Sequence, residues 1–249
     1  MIRICTWNIQ LGRRLGAVLD AVTTHSDFST LDLFAIQEAS IHDGVQDAAA
    51  VAGALGPGYR HFQATAQMLR GRDQGNALIW RQDRFEATPP QVVALTGTRS
   101  QHMSRAERTL LRAVPPQRRI AIRAESAALR VYVVHLDVIG FTHKLEQFRA
   151  VIDDMAARPA VPLTLVAGDL NTFGVPRLQM WRRIRASARA AGLVELTKAV
   201  RRTHWTAQKL DAIYAHGASP SSLRAWVLKV RASDHLPVFA EINPERKVP

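Results

Sequence analysis

The chain has 249 residues, with 33 Lys+Arg against 21 Asp+Glu, a formal net charge of +12, 47% hydrophobic residues and 22% charged residues. This composition fits an ordinary globular protein and excludes a disordered, collagen-like or coiled-coil chain. The single cysteine, Cys5, excludes an internal disulfide framework. The basic excess favours an anionic partner, such as nucleic acid, phosphorylated metabolites or an anionic lipid surface; an arginine-rich composition alone accounts for the same excess.

In chain order, the apolar patterning predicts strands over Ile2–Ile9, Leu33–Gln37, Asn76–Trp80, Arg119–Arg123, Arg130–His135, Leu163–Ala167, Leu210–Tyr214, Ala225–Val230 and Val238–Ile242. Helices are expected over Asp43–Leu55, His143–Ala157 and Pro176–Ala191. Segments 66–75 and 96–118 read as loops, and the tail Asn243–Pro249 as frayed. No repeat or linker divides the chain, so residues 1–249 read as a single domain of mixed α/β layers. The start, MIRICTWNIQLG, has no secretory-signal pattern, and no run approaches the roughly 18 apolar residues of a membrane span. A cytoplasmic location is expected, with a monomer as the default; the sequence does not fix the oligomeric state.

The polar residues fall where strands end. IRICTW runs into Asn8, LFAIQ into Glu38, VYVV into His135, and LTLVAG into Asp169 and Asn171. LDAIY carries Asp211, and RASDHLPV carries Asp234 and His235. Carboxylates and imidazoles are poorly buried without partners, so this recurrence points to strand ends converging on one site. Oxygen and amide ligands without cysteine suit Mg²⁺ or Mn²⁺, with Glu38 and Asn8 beside the ion. A histidine fixed by an aspartate can act as a general base, and His235 with Asp211 can form that pair. Asp169 would orient an attacking water, and Asn171 would donate to a phosphate oxygen. Each residue alone also has an ordinary structural reading as a turn cap, a surface acid or a core histidine.

These residues resemble the endonuclease/exonuclease/phosphatase superfamily with its deoxyribonuclease-I-like fold. The matches are TWNI at 6–9, IQE at 36–38, GNALIWR at 75–81, VHL at 134–136, AGDLN at 167–171, LDAIY at 210–214 and SDHLPV at 233–238. The resemblance implies a four-layer α/β sandwich, with two facing mixed β-sheets flanked by helices. It implies metal-dependent phosphoester hydrolysis by direct attack of water. Position by position, it implies Glu38 as main metal ligand with Asn8 beside it, and Asp234 supporting a metal. Asp169 aligns the nucleophile, Asn171 holds a phosphate oxygen, and Asp211 orients His235 as base or phosphate-binding imidazole. His135 becomes a second active-site histidine that binds phosphate or assists the leaving group. HLDVIG stands where abasic-site endonucleases carry a Tyr-x-Pro-Asn stretch, so the resemblance is to the histidine-containing branch.

Arg108 lies where relatives place a phosphate-contacting arginine and is assigned to substrate phosphate. Trp205 reads as a core residue, with stacking on a base as the alternative, and His204 is unassigned. Cys5 reads as a small core hydrophobe. The run RRIRASAR at 182–189 reads as a solvated helix face or a track for a nucleic-acid backbone. The leading function is a divalent-metal-dependent phosphodiesterase acting on nucleic acid. The alternatives are hydrolysis of phospholipid headgroups or small phosphorylated metabolites, and a phosphate-binding module with an inactive site.

Overall fold

The computed structural model describes residues 1–69, 71–95, 109, 117–138, 141–172, 180–218 and 224–243. Two six-stranded sheets dominate. The first has the order β13 (Arg224–Val227), β14 (Val238–Ile242), β1 (Ile2–Asn8), β2 (Leu33–Ala39), β6 (Arg72–Arg81), β5 (Tyr59–Leu69). The second has the order β11 (Val194–Glu195), β12 (Asp211–His216), β10 (Leu163–Asp169), β9 (Leu129–His135), β8 (Ile120–Glu125), β7 (Gln91–Ala94). Both are mixed: β1 pairs parallel to β2 and β9 parallel to β10, and the other ladders are antiparallel. A short hairpin, β3 (Ile41–His42) and β4 (Val45–Gln46), follows β2.

Strand alternation builds the layers. Ile4, Leu33, Ala35, Leu78, Val131, Val133, Leu163, Leu165 and Ile213 point between the sheets and form the central core. The opposite face of the first sheet, with Cys5, Trp7, Phe34, Ile36 and Phe239, packs under α1 (Leu15–Thr24), α2 (Ser26–Ser29) and α3 (Asp47–Leu55). The outer face of the second sheet, with Tyr132, Val134, Val166 and Tyr214, packs under α4 (Phe141–Ala156) and α5 (Met180–Ala190). The result is the expected four-layer α/β sandwich. Trp7 sits among Phe28 and Phe34, and its indole N–H donates to the His235 carbonyl at 2.9 Å. One aromatic thereby anchors both an outer core and the loop that carries the site; truncating such a residue to Ala costs about 3–5 kcal/mol.

Three expectations change. The helix expected from Asp43 starts at Asp47, because Asp43 (φ 51°) and Gly44 (φ 76°) form the left-handed turn of the β3–β4 hairpin. Residues 66–75 are not a loop: β5 runs to Leu69 and β6 starts at Arg72. That hairpin is masked in the sequence by cross-strand polar pairs such as Gln67–Gln74, whose amides bond at 2.6 Å. Trp205 is not in the core but 67% exposed. Helices α1 and α2 and strands β3, β4, β5, β7 and β11 add to the predicted set. Residues 176–179 of the expected third helix, 96–108 and 110–116 of the second loop, and 244–249 of the tail lie outside the described residues. Among the described residues, no helix is long and apolar enough to cross a membrane.

Candidate active site

The site is the polar continuation of the inter-sheet core. On β1, Ile4 and Thr6 face inward and Asn8 follows them; on β10 the inward row Leu163, Leu165, Ala167 ends at Asp169. The inward row of β9 ends at His135, and that of β12 begins at Asp211. Register then brings three of these side by side, because Asp169 pairs with His135 on one side and with Asp211 on the other. Close packing of β10 on β9 depends on Gly168, where a Cβ would lie 1.8 Å from the Val134 carbonyl oxygen.

Glu38 reaches the same cluster through a break in alternation. The β2–β6 register shifts between Gln37 and Ala39, and Glu38 takes φ 54°. Leu33 and Ala35 face the inner core and Ala39 the outer one, so the extra residue turns Glu38 inward. Gln10 (φ 55°) and Asn171 (φ 48°) share this left-handed conformation. Such backbone costs about 1–3 kcal/mol per residue and gathers at functional sites.

His235 Nδ1 lies 2.9 Å from Asp211 Oδ2. The Nε2 atoms of His235 and His135 are each 3.7 Å from Asp169 Oδ2, and His135 Nε2 is 4.0 Å from Glu38 Oε1. Asn8 Nδ2 donates to Asp169 Oδ2 at 3.0 Å, and Asn8 Oδ1 accepts from the Gln10 N–H at 3.0 Å. The Asn171 N–H donates to Asp169 Oδ1 at 2.8 Å, and its side-chain amide to the Leu136 carbonyl at 2.9 Å. Asp234 accepts from Gln10 Nε2 at 3.0 Å and from the Ser233 hydroxyl at 3.1 Å. The structure therefore gathers Asn8, Glu38, His135, Asp169, Asn171, Asp211, Asp234 and His235 at one end of the sandwich. Arg108 lies outside the described residues.

Four participants escaped the sequence reading. Arg119, 4% exposed at the entry to β8, places Nη1 3.0 Å from His135 Nδ1. A guanidinium only donates, so Nδ1 accepts and the imidazole proton sits on Nε2, a buried atom with no hydrogen-bond partner among the described residues. His204 packs edge-on against His235 at 4.6 Å between ring centroids, and its Nε2 is 3.8 Å from Asp234 Oδ2. Gln10 bridges Asn8 and Asp234. The buried Lys144 donates to the Asn171 carbonyl and fixes the turn after β10. The signals were faint: paired arginines before a strand, a glutamine after TWNI, and THK opening a helix.

Charge at the site is unevenly balanced. Burial raises Glu38 and outweighs Arg119, His235 and the hydrogen bond from Asn8. Burial and the Asp211 charge raise Asp169 to about 6, against His235 and two hydrogen bonds. Burial opposes the charge on His235, but Asp211, Asp169 and Asp234 together hold it up at about 10. Burial, Arg119 and His235 all depress His135, which stays neutral. Asp234 is lowered: burial opposes its charge, and His204, His235 and Ser233 outweigh it.

Buried carboxylates lifted by burial are short of positive charge, and a cation would supply it. Among the described residues, two groups hold ligand atoms close enough to share an ion: His204, Asp234 and His235, and Asp169, Asp211 and His235. Glu38 stands outside both, coupled to Asp234 by charge. The donor set fits a divalent cation.

A family model for the Endonuclease/Exonuclease/phosphatase family matches residues 5–235. The chain belongs to this family. Solved structures with the endonuclease/exonuclease/phosphatase fold superpose over nearly the whole chain. A family protein from Bacteroides vulgatus is 18% identical, with a TM-score of 0.70 over 98% of this chain and 99% of that one. A mannosyl-6-phosphatase from Bacteroides thetaiotaomicron is 18% identical, with a TM-score of 0.68 over 98% and 100%. The human Nocturnin catalytic domain, solved with bound sulfate, is 18% identical, with a TM-score of 0.67 over 97% and 94%. These likenesses carry the fold. No curated protein matches the sequence.

Proposed function

We propose that this family member hydrolyses phosphodiesters of nucleic acid with the help of a divalent cation, Mg²⁺ or Mn²⁺. The observation that carries the reading is the row His135–Asp169–Asp211 across adjacent strands, with His235 bonded to Asp211 at 2.9 Å. Glu38 and Asp234 would hold the cation, with Asn8 beside them. When bound, it neutralises phosphate charge and stabilises the leaving oxygen.

The chain's own residues divide the remaining work. Asp169, ionised near neutral pH and fixed by Asn8 and Asn171, orients the attacking water and takes its proton. His235 remains an imidazolium among carboxylates and donates Nε2–H to a phosphate oxygen. This favours its phosphate-binding role over that of a base. Neutral His135 presents its unpartnered Nε2–H to the same group or to the leaving oxygen. Asn171 spends one amide hydrogen on Leu136 and offers the other to phosphate. The net charge of +12 supports an extended polyanion as substrate.

The test compares bis(4-nitrophenyl) phosphate with 4-nitrophenyl phosphate under Mg²⁺ and under EDTA. Metal-dependent cleavage of the diester supports the proposal. Turnover of the monoester alone moves the assignment to a phosphatase, and metal binding without turnover of either moves it to a binding module.

A further inference from the structure

A cavity of about 510 Å³ opens on the outer face of the second sheet, beneath α5 and beside β11 and β12. It is separate from the catalytic cluster. Along β12, Asp211 shares parity with Ile213 and Ala215, which face between the sheets, whereas Tyr214 faces the helices. Tyr214 is also three residues further along the strand, roughly 10 Å away at the usual rise.

The cavity is basic and partly ordered in advance. Arg182, Arg185, Arg189 and Lys198 line it against one carboxylate, Glu195. Glu195 is already engaged by Arg185 and by Lys209, and Arg185 lies 4.9 Å over the Trp181 ring. Arg182, Arg189 and Lys198 have no ion pair among the described residues and surround the mouth. Tyr214 lines it too; it is 1% exposed, and its hydroxyl has no hydrogen-bond partner among the described residues. A solvated helix face explains exposed arginines. It does not explain a buried donor left unpaired beneath them, which is destabilising in the free protein.

We propose that this cavity is a second anion site that binds a phosphate group carried by a small organic molecule. The three uncommitted cations meet the phosphate oxygens, the Tyr214 hydroxyl supplies a neutral donor, and Ala186, Leu193 and Val194 face the organic part. The volume suits a nucleotide-sized or sugar-phosphate-sized ligand rather than a lone ion. The proposal is independent of the catalytic reading.

Calorimetric titration with phenyl phosphate in EDTA tests it on four proteins: wild type, His235→Ala, the pair Arg182→Glu/Arg189→Glu, and Tyr214→Phe. The expected site survives in His235→Ala within twofold and weakens tenfold or more in the arginine pair. It weakens about fivefold in Tyr214→Phe, whose melting temperature stays level or rises because no bond is lost. Arg182→Gln/Arg189→Gln repeats the measurement should charge reversal impair folding. The proposal is overturned by binding that vanishes in His235→Ala but persists in the arginine pair, by wild-type affinity in Tyr214→Phe, or by no saturable binding at millimolar ligand.

Discussion

Asp211 gives one carboxylate oxygen to His235 at 2.9 Å and keeps the other buried with no hydrogen-bond partner among the described residues. Its hydrogen bond therefore acts through His235, while its charge also bears on Asp169. Thr203 fixes Asp211 in place by accepting from the N–H groups of Leu210 and Asp211 at 2.9 and 3.1 Å. Asp211→Asn keeps the shape and removes the charge. It is expected to lower the His235 pKa and to reduce kcat by about 10²–10³, the usual span for weakening a charged donor to the reacting phosphate oxygen. Imidazole NMR and steady-state kinetics check both; wild-type turnover would contradict the assignment.

The metal assignment predicts a shift in the same signal. Without metal, the surrounding carboxylates hold His235 up at about 10. A divalent cation held by Glu38 and Asp234 disfavours a second positive charge nearby, so Mg²⁺ moves that titration to lower pH. In Glu38→Gln the shift needs at least about tenfold more Mg²⁺. A His235 resonance indifferent to Mg²⁺ would place the ion elsewhere.

Much of this arrangement was legible in the sequence because chemistry and periodicity coincide there. Asn8, His135 and Asp169 each end an apolar strand, so the strand pattern and the site pattern are one pattern. Glu38 was visible as a residue but not as a bulge, since a register shift shows only against the partner strand. Arg119, Gln10 and His204 were hidden because their roles depend on contacts between neighbouring strands or between loops far apart in sequence. Trp205 was misplaced because hydrophobicity alone cannot tell a core aromatic from a rim aromatic.

That exposed Trp205 stands beside the candidate site, with its ring 5.8 Å from His204 and its backbone N–H bonded to the Asp234 carbonyl at 2.9 Å. A flat apolar ring in this place suits a nucleobase, and stacking is worth about 1–3 kcal/mol per base. Trp205→Ala is expected to raise KM for an oligonucleotide at least about fivefold, with kcat and melting temperature nearly unchanged. An unaltered KM would leave the ring without a substrate role.

Asp47 predicts a pH effect on stability. Its carboxyl accepts the Ser40 N–H at 2.7 Å, yet burial raises it to about 6 against that bond, Arg72 and His42. The folded state thus holds the proton more tightly than the unfolded chain, whose value is near 3.8. This contribution lowers stability as pH rises from about 4 to about 6 and leaves it low above. Asp47→Asn is expected to melt higher than wild type at pH 8, with the advantage shrinking toward pH 5. A constant difference across that range would contradict the linkage.

The most direct test of the whole account is incubation of supercoiled plasmid with the protein and Mg²⁺, beside an EDTA control and the His235→Ala variant. The account predicts nicked plasmid with wild type and Mg²⁺ alone. An intact plasmid from a folded, metal-loaded protein, or equal nicking by His235→Ala, would contradict it.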